Sequence, residues 1–273
     1  MGTFIVQVVV VLVGLLAGWV WPRDPAARAP SRASVLNVVN GGVLFAVKLG
    51  LTAGFPVLTV DAIDGVLPLS AVGGPVAQFM VAFLILDLAR YGLHYAHHRV
   101  EFLWNFHRVH HCVETLDATA GFRMHLVDFV QLAAMPLVLF GVVFETSETS
   151  GTPTWMLPAV LSVGIVADAV EHANVPFRLD TWWRRAWFQV FNTPLFHAWH
   201  HTRDGHRIDG NYANALPLWD RLFGTDVTRP EPPALYGIRE SHTLEESLAG
   251  WWLLRPRTSP ASVPTSPTSD GAR

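Results

Sequence analysis

HYAHHRVEFLWNFHRVHH, residues 94–111, carries six of the thirteen histidines of this 273-residue chain. An even spread would place fewer than one in a window of that length. The stretch lies between two long apolar runs, Pro75–Leu93 before it and Leu126–Phe144 after it. Imidazoles concentrated at the ends of such runs decide how the rest of the chain is read.

Composition sets the frame. Hydrophobic residues make up 51% of the chain and charged residues only 15%, against roughly 25% charged in an average soluble domain. Acidic and basic residues nearly cancel, with a formal net charge of −3, so there is no electrostatic footprint for nucleic acid. Cys112 is the single cysteine. It excludes an internal disulfide and any cysteine-rich zinc or iron–sulfur site. Metal chemistry here would have to run on nitrogen and oxygen ligands.

A membrane span needs about 20 mostly apolar residues. Phe4–Trp21 fits without a charge, and its Met-Gly-Thr leader lacks the positive side chain of a signal peptide. Val35–Val60 is long but broken by Asn37, Asn40 and Lys48. Pro75–Leu93 carries Asp87 and Arg90 near its end, and Leu126–Phe144 carries Asp128 and Gln131 near its start. Trp155–Val170 is shorter and holds Pro158 and Asp168. The fold class expected is therefore all-α, an integral-membrane helical bundle of four or five spans. Arg23, Arg28 and Arg32 assign the first connection to the cytoplasm. Alternation from there puts Asp61, Asp64, Glu145 and Glu148 outside, and every histidine on the cytoplasmic side. Residues 1–255 read as one membrane-embedded domain, and the Pro/Ser/Thr-rich residues 256–273 as a disordered tail.

The histidines recur at helical spacing. His94 and His98 are four apart, while His107, His110 and His111 form HxxHH, as do His197, His200 and His201. Positions i, i+3 and i+4 share one face of a helix. Each cluster can aim its rings at a common point, as helical bundles do when they build metal sites. Zinc takes about four ligands; these eight overfill one such site and suit two adjacent metals. Imidazole alone does not choose among Zn, Cu, Fe and Ni. A histidine-lined metal transporter would instead carry its ligands at mid-membrane, and a haem protein would need only one or two axial histidines. A metal held purely as a structural staple remains an alternative.

With these motifs in view, the chain resembles the fatty acid hydroxylase and sterol desaturase superfamily of integral-membrane di-iron oxygenases. The resemblance rests on HYAHH (94–98), FHRVHH (106–111), RMH (123–125), EHANV (171–175) and HAWHH (197–201). It continues through NYAN (211–214) and WDRLFGT (219–225), covering roughly residues 80–226. It implies a cytosolic helical cap holding two iron ions, with O2 as co-substrate, and attack on an unactivated C–H bond of a lipid. It adds His172 to the eight clustered ligands. Relatives often carry a histidine where this chain has Asp168, four residues before His172. Asp168 is thus either a ligand or a residue that orients one. They also tend to have proline where this chain has Leu126.

Other side chains take supporting roles. His125 is a ligand, a hydrogen-bond donor behind one, or a substrate-pocket residue. His97 faces away from His98 on an ideal helix and has a structural role. His206 and His242 are surface residues. Asp87, Tyr91, His94 and His98 form one helical stripe, so Asp87 is placed to accept the second N–H of a ligating imidazole; the alternative is an ion pair with Arg90. Asn211, Tyr212, Trp219 and Asp220 are structural anchors of a lid. Trp182, Trp183 and Trp187, interleaved with Arg184 and Arg185, form an interfacial belt.

The reaction expected is hydroxylation of a membrane lipid, fatty acyl, sterol or related. Desaturation at the same site is the alternative, and a non-enzymatic histidine-rich metal-binding or transport protein is the second. The lipid chain would enter through a gap near His94 and His125. No GxGxxG after a strand and no haem or iron–sulfur motif occurs. A separate reductase or ferredoxin or cytochrome electron donor is therefore expected, docking at the cytoplasmic arginines.

Overall fold

The computed structural model describes residues 2–27, 31–54, 65–145, 152–203 and 209–238. The expectations for His206, His242, the Asp61/Asp64 loop, Glu148 and residues 256–273 fall outside these segments. Among the described residues the chain is all-helical, with no strand beyond two isolated bridges, Leu67 to Phe144 and Thr202 to Tyr236.

All five apolar runs form helices: α1 (Gly2–Val20), α2 (Arg32–Gly54), α3 (Pro75–Arg99), α5 (Leu126–Val143) and α6 (Met156–His172). Pro75 at the first position of α3 lacks only an N–H that would have had no partner there. α3 and α5 are long and apolar enough to cross a membrane. Only 33% and 17% of their apolar windows are buried by protein, the reverse of a soluble core helix. The described parts of α1 and α2 are shorter apolar helices, and α6 has 17 residues.

The helices alternate in direction. Leu69, Phe144 and Met156 pack together at one end, joining the segment before α3 to the end of α5 and the start of α6. At the other end lie the C-termini of α1, α3 and α6 and the N-termini of α2 and α5. Arg23, just past α1, donates to the Pro194 carbonyl at 3.0 Å, so the first arginine-bearing turn sits beside HAWHH. α1 runs along α6, and Val11, Ala118 and Ala169 form its buried seam. Gly14 permits this approach, since a Cβ there would stand 2.8 Å from that of Ala118.

The histidine end is built from short helices. Val100, β-branched and extended (φ −97°, ψ 114°), ends α3 and starts α4 (Glu101–His111), folding HRVHH back over His94 and His98. α7 (Trp182–Val190) is followed by α8 (Pro194–His200), whose Thr193 hydroxyl caps the Phe196 N–H at 3.2 Å. α9 (Leu218–Phe223) stops at left-handed Gly224.

Candidate metal centre

Nine imidazoles converge in two groups. His94, His98, His107, His111 and His200 offer five ring nitrogens within 4.8 Å of one another, and His110, His172, His197 and His201 offer four. The i, i+3, i+4 pattern is divided between them: α4 sends His107 and His111 to the first group and His110 to the second. α8 and its cap send His200 to the first, and His197 and His201 to the second. The groups abut, with the His111 ring centroid 4.6 Å from that of His201.

The outward nitrogens determine the chemistry of the inward ones. His94 Nδ1 lies 2.7 Å from the Tyr212 carbonyl, and His107 Nδ1 lies 3.1 Å from Asp128 Oδ2. A carbonyl or carboxylate only accepts, so each Nδ1 carries the hydrogen and each Nε2 a lone pair. Those two Nε2 atoms are 3.0 Å apart. In the second group, His172 Nδ1 donates to the Asp168 carbonyl at 2.6 Å and His110 Nδ1 to the Arg123 carbonyl at 3.3 Å. Their Nε2 atoms face each other at 3.3 Å. His200 Nδ1 donates to the Gly210 carbonyl at 2.8 Å, leaving its Nε2 without a hydrogen-bond partner.

Opposed lone pairs repel unless a cation lies between them. At four of the rings protonation is disfavoured: burial, then neighbouring imidazoles, hold His110, His111, His197 and His201 well below the usual histidine pKa. Burial brings His200 to about 3. A metal about 2.0–2.1 Å from each nitrogen separates neighbouring ligands by about 2.9 Å at a right angle and about 3.3 Å at the tetrahedral angle. The Nε2 pairs span 2.9 to 3.3 Å. The donor set fits two metal ions.

The remaining expectations divide. Asp168 faces His172 Nδ1, with its carboxylate at 4.0 Å, on the nitrogen turned away from the other rings, and pairs with Arg90 at 3.8 Å. Its carboxylate lies with Glu171 and His172 in a further set of possible ligand atoms, outside the two histidine groups. His125 belongs to neither group. It is the N-cap of α5, and its Nδ1 accepts the Val127 N–H at 3.1 Å, because that helix start needs an acceptor. Asp87 does not hold His94, which is a correction. It accepts the Ala215 N–H at 3.2 Å and the Trp219 indole N–H at 2.9 Å, both from the closing segment. His97 turns away to Gln131 Oε1 at 2.8 Å.

The anchors interlock. Asp220 accepts the N–H groups of Tyr212 and Ala213, both at 2.8 Å, and the Thr225 hydroxyl at 2.7 Å. Burial pushes its pKa up to about 6 against these bonds. The Tyr212 ring covers His94, His98 and His200 at 5.0 to 5.9 Å. Asn211, at φ 59°, takes the left-handed turn asparagine tolerates. Its amide donates to the Phe196 carbonyl at 2.8 Å.

Several residues at the site were not singled out in sequence. Asp128 backs His107. Glu171 lies 3.6 Å from His197 Nδ1 and 3.9 Å from His172 Nδ1, and bonds Asn192. Asp209 lies 3.6 Å from His98 Nδ1, and the Trp104 ring lies tilted against His98 and His111, centroids 5.2 and 5.4 Å away. A carboxylate at the head of an apolar run, as Asp128 is, was the available signal.

Comparison with known proteins agrees with the motifs. The fatty acid hydroxylase family model matches residues 79–225, more than half of the chain. The ornithine lipid hydroxylase OlsE of Rhizobium tropici is 30% identical over 210 residues, covering 71% of this chain and 56% of that protein. Alkylglycerol monooxygenase of Xenopus tropicalis is 30% identical over 158 residues, covering 58% and 32%. The fatty acid hydroxylase vlmA of a Lecanicillium species is 30% identical over 156 residues, covering 54% and 41%. The chain thus spans between about a third and about half the length of these relatives. No solved structure matches it.

Proposed function

This chain belongs to the fatty acid hydroxylase family, and on that premise we propose that it is a membrane oxygenase using two irons and O2 to hydroxylate the hydrocarbon chain of a lipid. The observation that carries the reading is the pairing of imidazole lone pairs across two abutting groups of five and four nitrogens. Five nitrogens exceed the four-coordinate set of a structural zinc, and iron accepts imidazole ligands. The names of the relatives, a lipid hydroxylase and two monooxygenase or fatty acid hydroxylase enzymes, support lipid oxidation.

Irons bound in these groups would supply O2 activation and removal of hydrogen from an unactivated C–H bond. The chain's own residues perform the positioning. Tyr212, Asp128, Asp168, Arg123 and Gly210 each hold an outward Nδ1–H, so His94, His107, His172, His110 and His200 present their Nε2 inward. Asp87 and Asp220 tie the closing segment over α3, which keeps Tyr212 against the rings and water away. Conversion of a C–H bond and O2 to an alcohol and water takes up two further electrons and two protons. A separate reductase, ferredoxin or cytochrome would deliver them at the arginine-bearing face.

We assign the five apolar helices α1, α2, α3, α5 and α6 to membrane crossings, with the histidine cap in the cytoplasm. Their alternating directions and the contact of Arg23 with Pro194, beside the histidines, support that assignment. The Trp-bearing α7 then lies along the lipid headgroups.

The test is iron content and product. Purified chain should bind two irons, and lipids from cells making it should gain one oxygen relative to cells without it. Loss of two hydrogens would establish desaturation instead. An unchanged lipid profile together with stable metal binding would leave only a metal-binding protein.

A further inference from the structure

We propose that a polar stripe on α2, made by Ser34, Asn37 and Asn40, positions the four-histidine group without touching it. The inference rests on the di-iron reading above. α2 lies outside the matched family region of residues 79–225. Ser34, Asn37 and Asn40 would be costly in an apolar helix without partners, and each of the three has one in a single segment, residues 117–124.

The Ser34 hydroxyl donates to Asp117 Oδ2 at 2.6 Å. The Asn37 amide donates to the Thr119 hydroxyl at 3.1 Å, and its oxygen accepts the Arg123 Nε–H at 2.9 Å. Asn40 donates to the Phe122 and Met124 carbonyls at 2.7 and 3.0 Å. The spacing i, i+3, i+6 keeps all three on one face of α2. Gly41, one residue on, admits the Phe122 ring, whose Cγ would lie 2.8 Å from a Cβ there.

The segment so pinned meets the second group at two points. The Arg123 carbonyl accepts His110 Nδ1–H. Gly121 lies against Asp168 and His172, where a Cβ would fall 2.5 Å from Asp168 Oδ2 and 3.5 Å from His172 Nδ1. Four rings of the five-histidine group, His94, His107, His200 and His98, take their orienting contacts elsewhere, from Tyr212, Asp128, Gly210 and Asp209. Loosening α2 should therefore disturb one metal and spare the other. Loss of an orienting partner typically weakens metal binding about 10- to 100-fold.

The experiment uses the full chain in detergent, loaded with ferrous iron without oxygen and challenged with rising chelator. Wild type should hold two irons. In Asn37→Ala and Asn40→Ala, one iron should leave at roughly tenfold lower chelator, with the other unmoved. Asn37→Asp keeps an oxygen for Arg123 and should follow wild type. In a His98→Ala background, which removes a five-group ligand, the remaining iron should respond to Asn37→Ala; in a His197→Ala background it should not. Release of both irons together, or no shift in either Asn variant, would overturn the proposal. Wild type holding fewer than two irons would instead defeat the di-iron reading on which it rests.

Discussion

The Asp128 carboxylate accepts the Nδ1–H of His107 at 3.1 Å, and its other oxygen lies 3.1 Å from His97 Nδ1. A fully buried acid at the head of an apolar helix thus meets the outer side of an imidazole whose inner nitrogen faces His94 and His111. Removing it in Asp128→Ala frees the His107 ring to rotate. Iron affinity of the five-histidine group should fall about 10- to 100-fold. Chelator titration of Asp128→Ala against wild type reads this directly, and equal affinities would mean that the acid serves only packing.

Asp220 organises the closing segment through two backbone N–H groups and one hydroxyl. Asp220→Ala leaves the Tyr212 and Ala213 N–H groups buried and unpaired, at about 1–3 kcal/mol each. The thermal unfolding midpoint should fall by many degrees. Trp219→Phe removes the indole N–H bond to Asp87 and part of the ring packed against the core, and should cost less, about 1–3 kcal/mol in total. A reversed order of the two variants would show that the anchor is misassigned.

The metal-free chain should be acid-sensitive. Burial keeps His110, His111, His197 and His201 well below their usual pKa and His200 at about 3 in the fold. The same residues in an unfolded chain take protons near pH 6.5. Between the folded and unfolded values the unfolded state binds more protons, so stability falls as pH falls. Each such histidine contributes roughly 1.4 kcal/mol per pH unit in that window. Unfolding midpoints of chelator-stripped protein measured at pH 7 and 5.5 test the sign, and a midpoint that rises on acidification contradicts it.

Trp182, Trp183 and Trp187 are 81%, 50% and 51% exposed on α7, while Phe188 opposite them is buried. Arg221 ties the far end of the helix to α9 through the Gln189 and Phe188 carbonyls, at 2.6 and 2.8 Å. If this face rests among lipid headgroups, lipids brominated near the ester should quench tryptophan fluorescence in reconstituted protein. Replacing the three tryptophans with phenylalanine should remove a large share of that quenching. Quenching that is the same in both proteins would place α7 away from the bilayer.

Sequence alone determined the helical class, the five apolar runs and the family. Helical periodicity and hydropathy are local properties, readable one segment at a time. It also singled out the nine histidines that the fold gathers, eight because HxxxH and HxxHH spacing places rings on one face wherever the helix goes, and His172 through the family resemblance. What spacing could not say is how the rings divide. His107 and His111 part company with His110 only because α4 folds back at Val100 and meets α8 across its face. The orienting partners were beyond sequence for the same reason. Asp87 looked right on its own helix, yet the chain passing over it 128 residues later claimed both its oxygens. Tyr212, Asp128 and Arg123 hold the rings through contacts set by packing across segments, and such contacts leave no periodic trace in a single chain.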